Sequence, residues 1–157
     1  MVGFFSGLVG SNVIILLISL LPVLELRGGI LAASLLQVDW RLALIICIIG
    51  NLIPIPFILL FMNKIFDLLK NTKLMSFINR LERRIEAKSA AITKYKKWGL
   101  FLFVAIPLPG TGAWTGAMVA SFLKIPVKES ILSISLGVLA AGLIMSIVSY
   151  GVLGLFI

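Results

Sequence analysis

Long uncharged apolar runs alternate with short polar breaks along the chain. Residues 42–62 form an uncharged run of 21 residues, and residues 131–157 form a second run of 27 residues. About 20 apolar residues are needed for a helix to cross a hydrocarbon core of roughly 30 Å. Each of the two runs therefore predicts a transmembrane helix.

Two other apolar stretches are too short to cross a membrane. Residues 28–37 number ten, and residues 113–123 number eleven. At a rise of about 1.5 Å per residue each would form a helix of roughly 15 Å, half of a hydrocarbon core. Each follows an apolar arm and a helix-breaking segment, which predicts two re-entrant hairpins that return to the face they entered. Ordinary membrane-crossing helices with Pro/Gly kinks are the alternative, and the short arms argue against them.

The two hairpins are related by a repeat at an offset of 87 residues. Identical residues recur at this offset, among them the pairs Pro22/Pro109, Gly29/Gly116, Ala33/Ala120, Ser34/Ser121, Leu36/Leu123 and Gly50/Gly137. Paired Gly/Pro interruptions in the two halves of a membrane chain point to the binding site of a transporter. Counting the crossings predicts an inverted repeat whose broken tips meet near the membrane centre.

Positive charge is concentrated between the two halves. Residues 64–97 contain ten of the fourteen Lys and Arg and three of the six acidic residues. Such a segment marks the cytoplasmic side of an inner membrane. Its apolar positions share one helical stripe: Leu74, Phe77, Ile78, Leu81, Ile85, Ile92 and Tyr95. The stripe predicts an amphipathic helix, which would lie in the lipid headgroups or pack on its own protein or a dimer partner.

The predicted architecture is therefore one all-α polytopic membrane domain over residues 1–157. Repeat 1 covers residues 1–62, the cytoplasmic linker helix covers 63–97, and repeat 2 covers 98–157. We expect a homo-oligomer, with a dimer favoured, because two spans and two half-length hairpins make a small enclosure for a transport path.

Composition excludes several functional classes. The chain is 61% hydrophobic and 13% charged, contains no histidine and has one cysteine. A histidine-dependent triad is impossible, and neither an HExxH zinc motif nor a phosphate-binding loop occurs. We therefore expect no enzyme activity, no metal and no cofactor. Because the basic bias is confined to one segment, we also expect no nucleic-acid partner.

Glu25 and Arg27 lie in the break of the first hairpin. A charge near the bilayer centre costs on the order of 3 kcal/mol on insertion scales. The neighbouring Gly28 and Gly29 predict a stretch free of helical geometry. The pair could be a salt bridge that only pins the hairpin. Alternatively, Glu25 couples a proton or ion while Arg27 holds an anionic substrate.

The second hairpin carries the most specific pattern. Its prolines end the incoming arm, and its glycines permit the reversal. The returning arm then begins with free N–H groups, which form a site for anions. Thr111, Trp114 and Thr115 would line that end. The predicted tip residues are Pro22, Gly28 and Gly29 in the first hairpin and Pro107, Pro109, Gly110, Gly112 and Gly116 in the second.

Two features keep alternatives open. Gly112, Gly116 and Ala120 are spaced four apart, which also lets helices pack closely. Asn51 lies near the middle of the first span, where its amide needs partners. A structural interhelical bond and a role in substrate binding are both consistent with its position.

With these residues the chain resembles the family called putative small multidrug export proteins, which is related to the DedA/VTT membrane superfamily. The resemblance rests on residues 22–28, 50–56 and 107–116. It implies two facing re-entrant hairpins, proton-linked transport and, in the wider superfamily, translocation of lipids such as undecaprenyl phosphate. Glu25 matches the acidic position of the DedA first hairpin. The DedA arginines of the second hairpin have no counterpart, since residues 98–123 contain no Arg or Lys.

The functional hypothesis is a transporter or lipid flippase for an amphiphilic, anionic substrate, proton-coupled, with its site between the two tips. Small-molecule or multidrug export is one alternative. A lipid-organising scaffold without a transport cycle is the other. The expected partners are membrane lipid, a small amphiphilic substrate and further copies of the chain.

Overall fold

The computed structural model describes residues 2–69, 76, 80, 90–108 and 110–153, and this part of the chain is all-helical. The helices are α1 (Val2–Leu20), α2 (Glu25–Leu35), α3 (Trp40–Leu52), α4 (Ile55–Leu69), α5 (Ala90–Ala105), α6 (Ala113–Phe122) and α7 (Val127–Leu153). The all-α prediction is confirmed. Most of the predicted amphipathic stripe lies outside the described residues, as does Pro109.

Among the described residues, two stretches are long and apolar enough to cross a membrane, Trp40–Met62 and Val127–Gly151. They correspond to the two predicted spans. The first is a pair of helices rather than one continuous helix, because α3 ends at Leu52 and α4 begins at Ile55. Pro54 has no N–H, so the carbonyl of Gly50 loses its helical donor. The break follows from that loss.

The two halves of the chain build the same sequence of elements, with α1, α2 and α3–α4 followed by α5, α6 and α7. Their short helices end in the same way. Gln37 and Lys124, 87 residues apart, both have positive φ, at 55° and 53°. The next amide donates to the carbonyl five residues back in each case, Val38 to Ala33 and Ile125 to Ala120. Each end is thus a Schellman motif, and the repeat in sequence is a repeat in local structure.

Small residues let α2 and α6 pack closely against their own hairpin arms. A Cβ at Gly29 would overlap the Ser19 hydroxyl and lie 2.8 Å from Cys47 Sγ. A Cβ at Gly116 would lie 2.6 Å from Val104 Cγ2. The prediction that Gly28 and Gly29 form the break is wrong. Both lie inside α2, and the turn occupies residues 21–24. Gly116, which was also predicted as a tip residue, lies inside α6.

The two ends of α7 contact different parts of the chain. Lys97 Nζ lies 2.7 Å from Glu129 Oε1, in the first turn of α7. The Tyr150 hydroxyl, near the other end, donates to the Val38 carbonyl over 2.8 Å. Glu129 and Tyr150 are 21 residues apart along one helix, or roughly 32 Å. The α2–α3 loop and Lys97, in the middle of α5, therefore contact opposite ends of α7, about one hydrocarbon core apart.

Candidate functional site

The side chain of Glu25 lies at the N-terminus of α6, in the opposite hairpin. Its Oε2 accepts from the Ala113 amide and its Oε1 from the Trp114 amide, each over 3.1 Å. Glu25 is only 4% exposed. A negative charge is stabilised at this end of a helix by the helix dipole and by unpaired N–H groups. The anion site that the sequence predicts at this N-terminus is therefore filled by a carboxylate of the same chain.

Arg27 complements the other broken end of the second hairpin. Its Nη2 donates to the Ile106 carbonyl over 3.0 Å and to the Thr111 carbonyl. Ile106 directly follows Ala105, the last residue of α5. A cation near the C-terminus of a helix satisfies unpaired carbonyls and is favoured by the dipole. Glu25 and Arg27 thus cap both ends of one helical break, and we call these bonds the tip contact.

The two charges are less closely bound to each other than to the facing hairpin. Arg27 Nη1 lies 3.7 Å from Glu25 Oε2. The hydrogen bonds of each to the second hairpin are shorter. An ion pair that pins only its own hairpin does not describe this geometry, because both side chains bridge the two halves.

Glu25 adopts a backbone conformation that a non-glycine residue rarely occupies. Its φ is 51°, in the left-handed region. This conformation costs roughly 1–2 kcal/mol for an L-amino acid. Strain of this kind persists where the surroundings enforce it, often at functional sites. Here the two bonds to α6 hold Glu25 in place.

Different glycines of the second tip have different roles. Gly110 has φ 85° and makes the reversal possible. Gly112 is extended, and a Cβ there would overlap both carboxylate oxygens of Glu25. Thr115 steadies the same residue, since its Oγ1 accepts from the Gly112 amide over 2.9 Å. Gly112 is therefore required for the approach of Glu25.

Thr111 makes hydrogen bonds within the turn of the second hairpin. Its hydroxyl has two possible acceptors, the Ile106 carbonyl at 2.7 Å and the Leu108 carbonyl at 2.9 Å, and it donates to one of them at a time. It also accepts from Arg27 Nη2 over 3.2 Å. Pro22 and Pro107 lie in the two interhelical turns, where neither interrupts a helix.

A small cavity of about 10 Å³ adjoins the tip contact, with Glu25, Arg27 and Asn51 in its wall. This is room for about one water molecule. Asn51 is 3% exposed, and its Oδ1 has no hydrogen-bond partner in the described part of the chain. Val138 and Ala141 close the cavity from α7. They lie about midway between Glu129 and Tyr150, so the cavity is near the middle of that helix.

Trp114 joins the tip contact to a second, larger space. Its amide binds Glu25, while its side chain helps line an open groove of about 660 Å³ along α4. Phe57 and Lys64 also line this groove. Sequence reasoning missed both residues, because the groove forms between helices of different halves and no local pattern marks it.

The described residues offer no metal centre, since no group of three or more His, Cys, Asp or Glu side chains comes together among them. Of the predicted site residues, the structure brings Glu25, Arg27, Asn51 and Thr111 together around the tip and cavity. Thr115 lies one turn into α6, with its hydroxyl bound to Gly112.

Most of the chain matches the model of a known protein family. The model of the family described as "Putative small multi-drug export protein" matches residues 25–144, which include Glu25, the second hairpin tip, the first span and most of the second span. Neither a curated protein nor a solved structure matches the chain. The matched region covers well over half of the 157 residues. The chain therefore belongs to the putative small multi-drug export protein family.

Proposed function

We propose that this membrane protein transports small amphiphilic molecules, and that the tip contact closes the path. The observation that carries the proposal is the polar cavity between two broken hairpins, with the buried amide of Asn51 in its wall. A buried polar atom without a partner costs about 1–3 kcal/mol. In a protein that only organises lipid, an apolar residue at this position would be more stable. A site that must bind or pass a polar group has a reason to keep Asn51.

We further propose that the two halves are inverted across the membrane and that each hairpin is re-entrant. Three observations support this arrangement. The α2–α3 loop and Lys97 of α5 contact opposite ends of α7. The tip contact is near the middle of that helix. The basic residues that precede α5 favour the cytoplasmic side for that end.

The inverted arrangement predicts opposite labelling at equivalent positions. Arg41 and Lys128 are 87 residues apart, exposed, and each in the first turn of its helix. After Cys47→Ser, single Arg41→Cys and Lys128→Cys variants are expressed in cells. A membrane-impermeant thiol reagent added outside should label position 41 and not position 128.

Permeabilised cells provide the control, because both cysteines should then react. Labelling of both positions from outside in intact cells would contradict the inversion. The buried native Cys47 is removed beforehand, so any signal comes from the introduced thiol.

Coupling to protons follows from the chemistry of the tip contact. A protonated Glu25 loses its charge attraction to the α6 N-terminus and to Arg27. The tips can then separate, and Arg27 becomes available to an anionic group of the substrate. Deprotonation restores the contact and closes the path. In this cycle Glu25 occupies the site that an anion would otherwise take.

Transport is tested in proteoliposomes with an imposed pH gradient. The probes are the anionic dye anilinonaphthalene sulfonate and the cationic dye ethidium, each followed by fluorescence. We expect dye movement above that of protein-free vesicles. Asn51→Leu should leave the free energy of unfolding unchanged or higher, because the buried Oδ1 of Asn51 accepts no hydrogen bond from the described residues. It should nevertheless lower the transport rate at least about tenfold, as expected when a polar group in the path loses about 1.4 kcal/mol of interaction.

Glu129→Gln is the matched control, since it alters an exposed ion pair outside the path. It should transport like the wild type. If neither dye moves in response to the gradient, or if Asn51→Leu transports at the wild-type rate, the transport function proposed for this site is wrong and the scaffold alternative is favoured.

A further inference from the structure

We propose that the groove along α4 binds an anionic amphiphile drawn from the leaflet on the basic side of the membrane. This inference names the substrate class of the proposed transport and rests on that function. Most of the residues that line the groove are apolar, among them Ile53, Phe57 and Phe61, and Lys64 is the one charged residue among the described residues of the lining.

The position of the groove matches one leaflet. Its inner end, nearer the membrane centre, is at Ile53 and Pro54, where the first span breaks. Its outer end, nearer the membrane surface, is at Lys64, two residues beyond the end of that span at Met62. Ten residues of helix separate Pro54 from Lys64, or about 15 Å. That is half of a hydrocarbon core. The groove therefore spans the depth of one set of acyl chains.

The positive charge of Lys64 favours an anionic occupant of the groove. In a membrane the headgroup of an amphiphile lies at the interface, where Lys64 is placed, and its apolar body lies in the hydrocarbon. An anionic headgroup would pair with Lys64 while the body contacts Phe57 and Phe61. A volume of about 660 Å³ is within the range of small-molecule sites. A protein partner covering the same face would need an acidic group against Lys64, so lipid-like chemistry is the better fit.

Trp114 connects the occupant to the tip contact. Its side chain lines the groove, while its amide donates to Glu25 Oε1. An apolar body that reaches the inner end of the groove therefore touches the residue whose backbone holds the tips together. Occupancy can thus be sensed at the contact that closes the path.

Fluorescence quenching tests the proposal directly. In a Trp40→Phe/Trp98→Phe background, Trp114 is the remaining tryptophan of the chain. The protein is reconstituted into phosphatidylcholine vesicles that contain equal mole fractions of lipid brominated in mid-chain, either phosphatidylglycerol or phosphatidylcholine. The anionic brominated lipid should quench Trp114 more strongly. The expected enrichment is up to about fivefold, the effect of one lysine near an anionic headgroup.

Lys64→Gln should abolish the difference between the two lipids. Lys128→Gln, an exposed lysine at the start of α7, should preserve it and serves as the matched control. Circular dichroism of each variant checks the fold. Equal quenching by both lipids in the parent protein, or a preference that survives Lys64→Gln, would overturn the assignment. Absence of quenching by either lipid would also overturn it and would favour a second copy of the chain on this face.

The outcomes separate the two proposals. A preference for the anionic lipid without dye transport would leave the groove assignment in place and refute the transport function. Dye transport without a lipid preference would refute the groove assignment alone.

Discussion

Replacing Glu25 with glutamine is expected to lower the free energy of unfolding by about 3 kcal/mol. Glutamine is uncharged, and only its carbonyl oxygen accepts, so it can replace one of the two bonds to the α6 amides. Hydrogen bonds to a charged group are worth roughly 1.5–3 kcal/mol each. Arg27 also loses the carboxylate that lies 3.7 Å from it, within a largely buried site. Unfolding of purified protein in detergent, followed by circular dichroism, measures the change.

Glu129→Gln provides the same chemical change in an exposed setting. Glu129 pairs with Lys97 at the protein surface, where an ion pair contributes at most about 1 kcal/mol. The difference between the two variants is therefore the measurement of interest. Equal losses would mean that Glu25 gains nothing from its position at the tip, and the structural basis of the tip contact would be wrong.

The pattern of apolar runs was sufficient to predict the two spans, but not the break between α3 and α4 inside the first of them. Hydrophobic length is a local property, and the spans Trp40–Met62 and Val127–Gly151 follow from it. The anion site at the start of α6 was also predictable, because prolines and glycines before a helix leave its first amides unpaired. That its ligand is Glu25, 88 residues away, was not. Only the packing of the two hairpins brings those groups together.

The error at Gly28 and Gly29 has a physical cause as well. A pair of glycines favours a turn when only local propensity is considered. In this chain the pair serves helix packing, since Gly29 lies against Ser19 and Cys47 on neighbouring helices. Tertiary contacts of that kind outweigh the local cost of glycine in a helix. The true turn at residues 21–24 carries Pro22, which the sequence did mark.

Gly112→Ala is expected to break the tip contact without changing any charge. Its φ and ψ, −105° and −170°, suit alanine, so the backbone is not strained by the substitution. The added methyl group would overlap the carboxylate of Glu25, which must then leave the α6 N-terminus. Two amides and a buried carboxylate lose their partners, at a cost comparable to the roughly 3–5 kcal/mol for breaking a buried ion pair. Unfolding in detergent should show a loss of that size.

Gly99→Ala is the matched control for this variant. Gly99 lies inside α5, and a Cβ there would have no neighbour within 4 Å. Alanine at this position should leave stability unchanged or raise it by up to about 1 kcal/mol, because glycine is a poor helix former. A loss in Gly99→Ala as large as that in Gly112→Ala would mean that any added methyl group is harmful, whatever its neighbour.

The decisive comparison places Gly112→Ala in a Glu25→Ala background. With the carboxylate removed, the methyl group at position 112 has room, so the second substitution should cost less than about 1 kcal/mol. Such non-additivity is expected only when two residues share one interaction. If Gly112→Ala costs as much without the Glu25 carboxylate as with it, the clash lies elsewhere. The approach of Glu25 to α6 would then not be the reason that glycine occupies position 112.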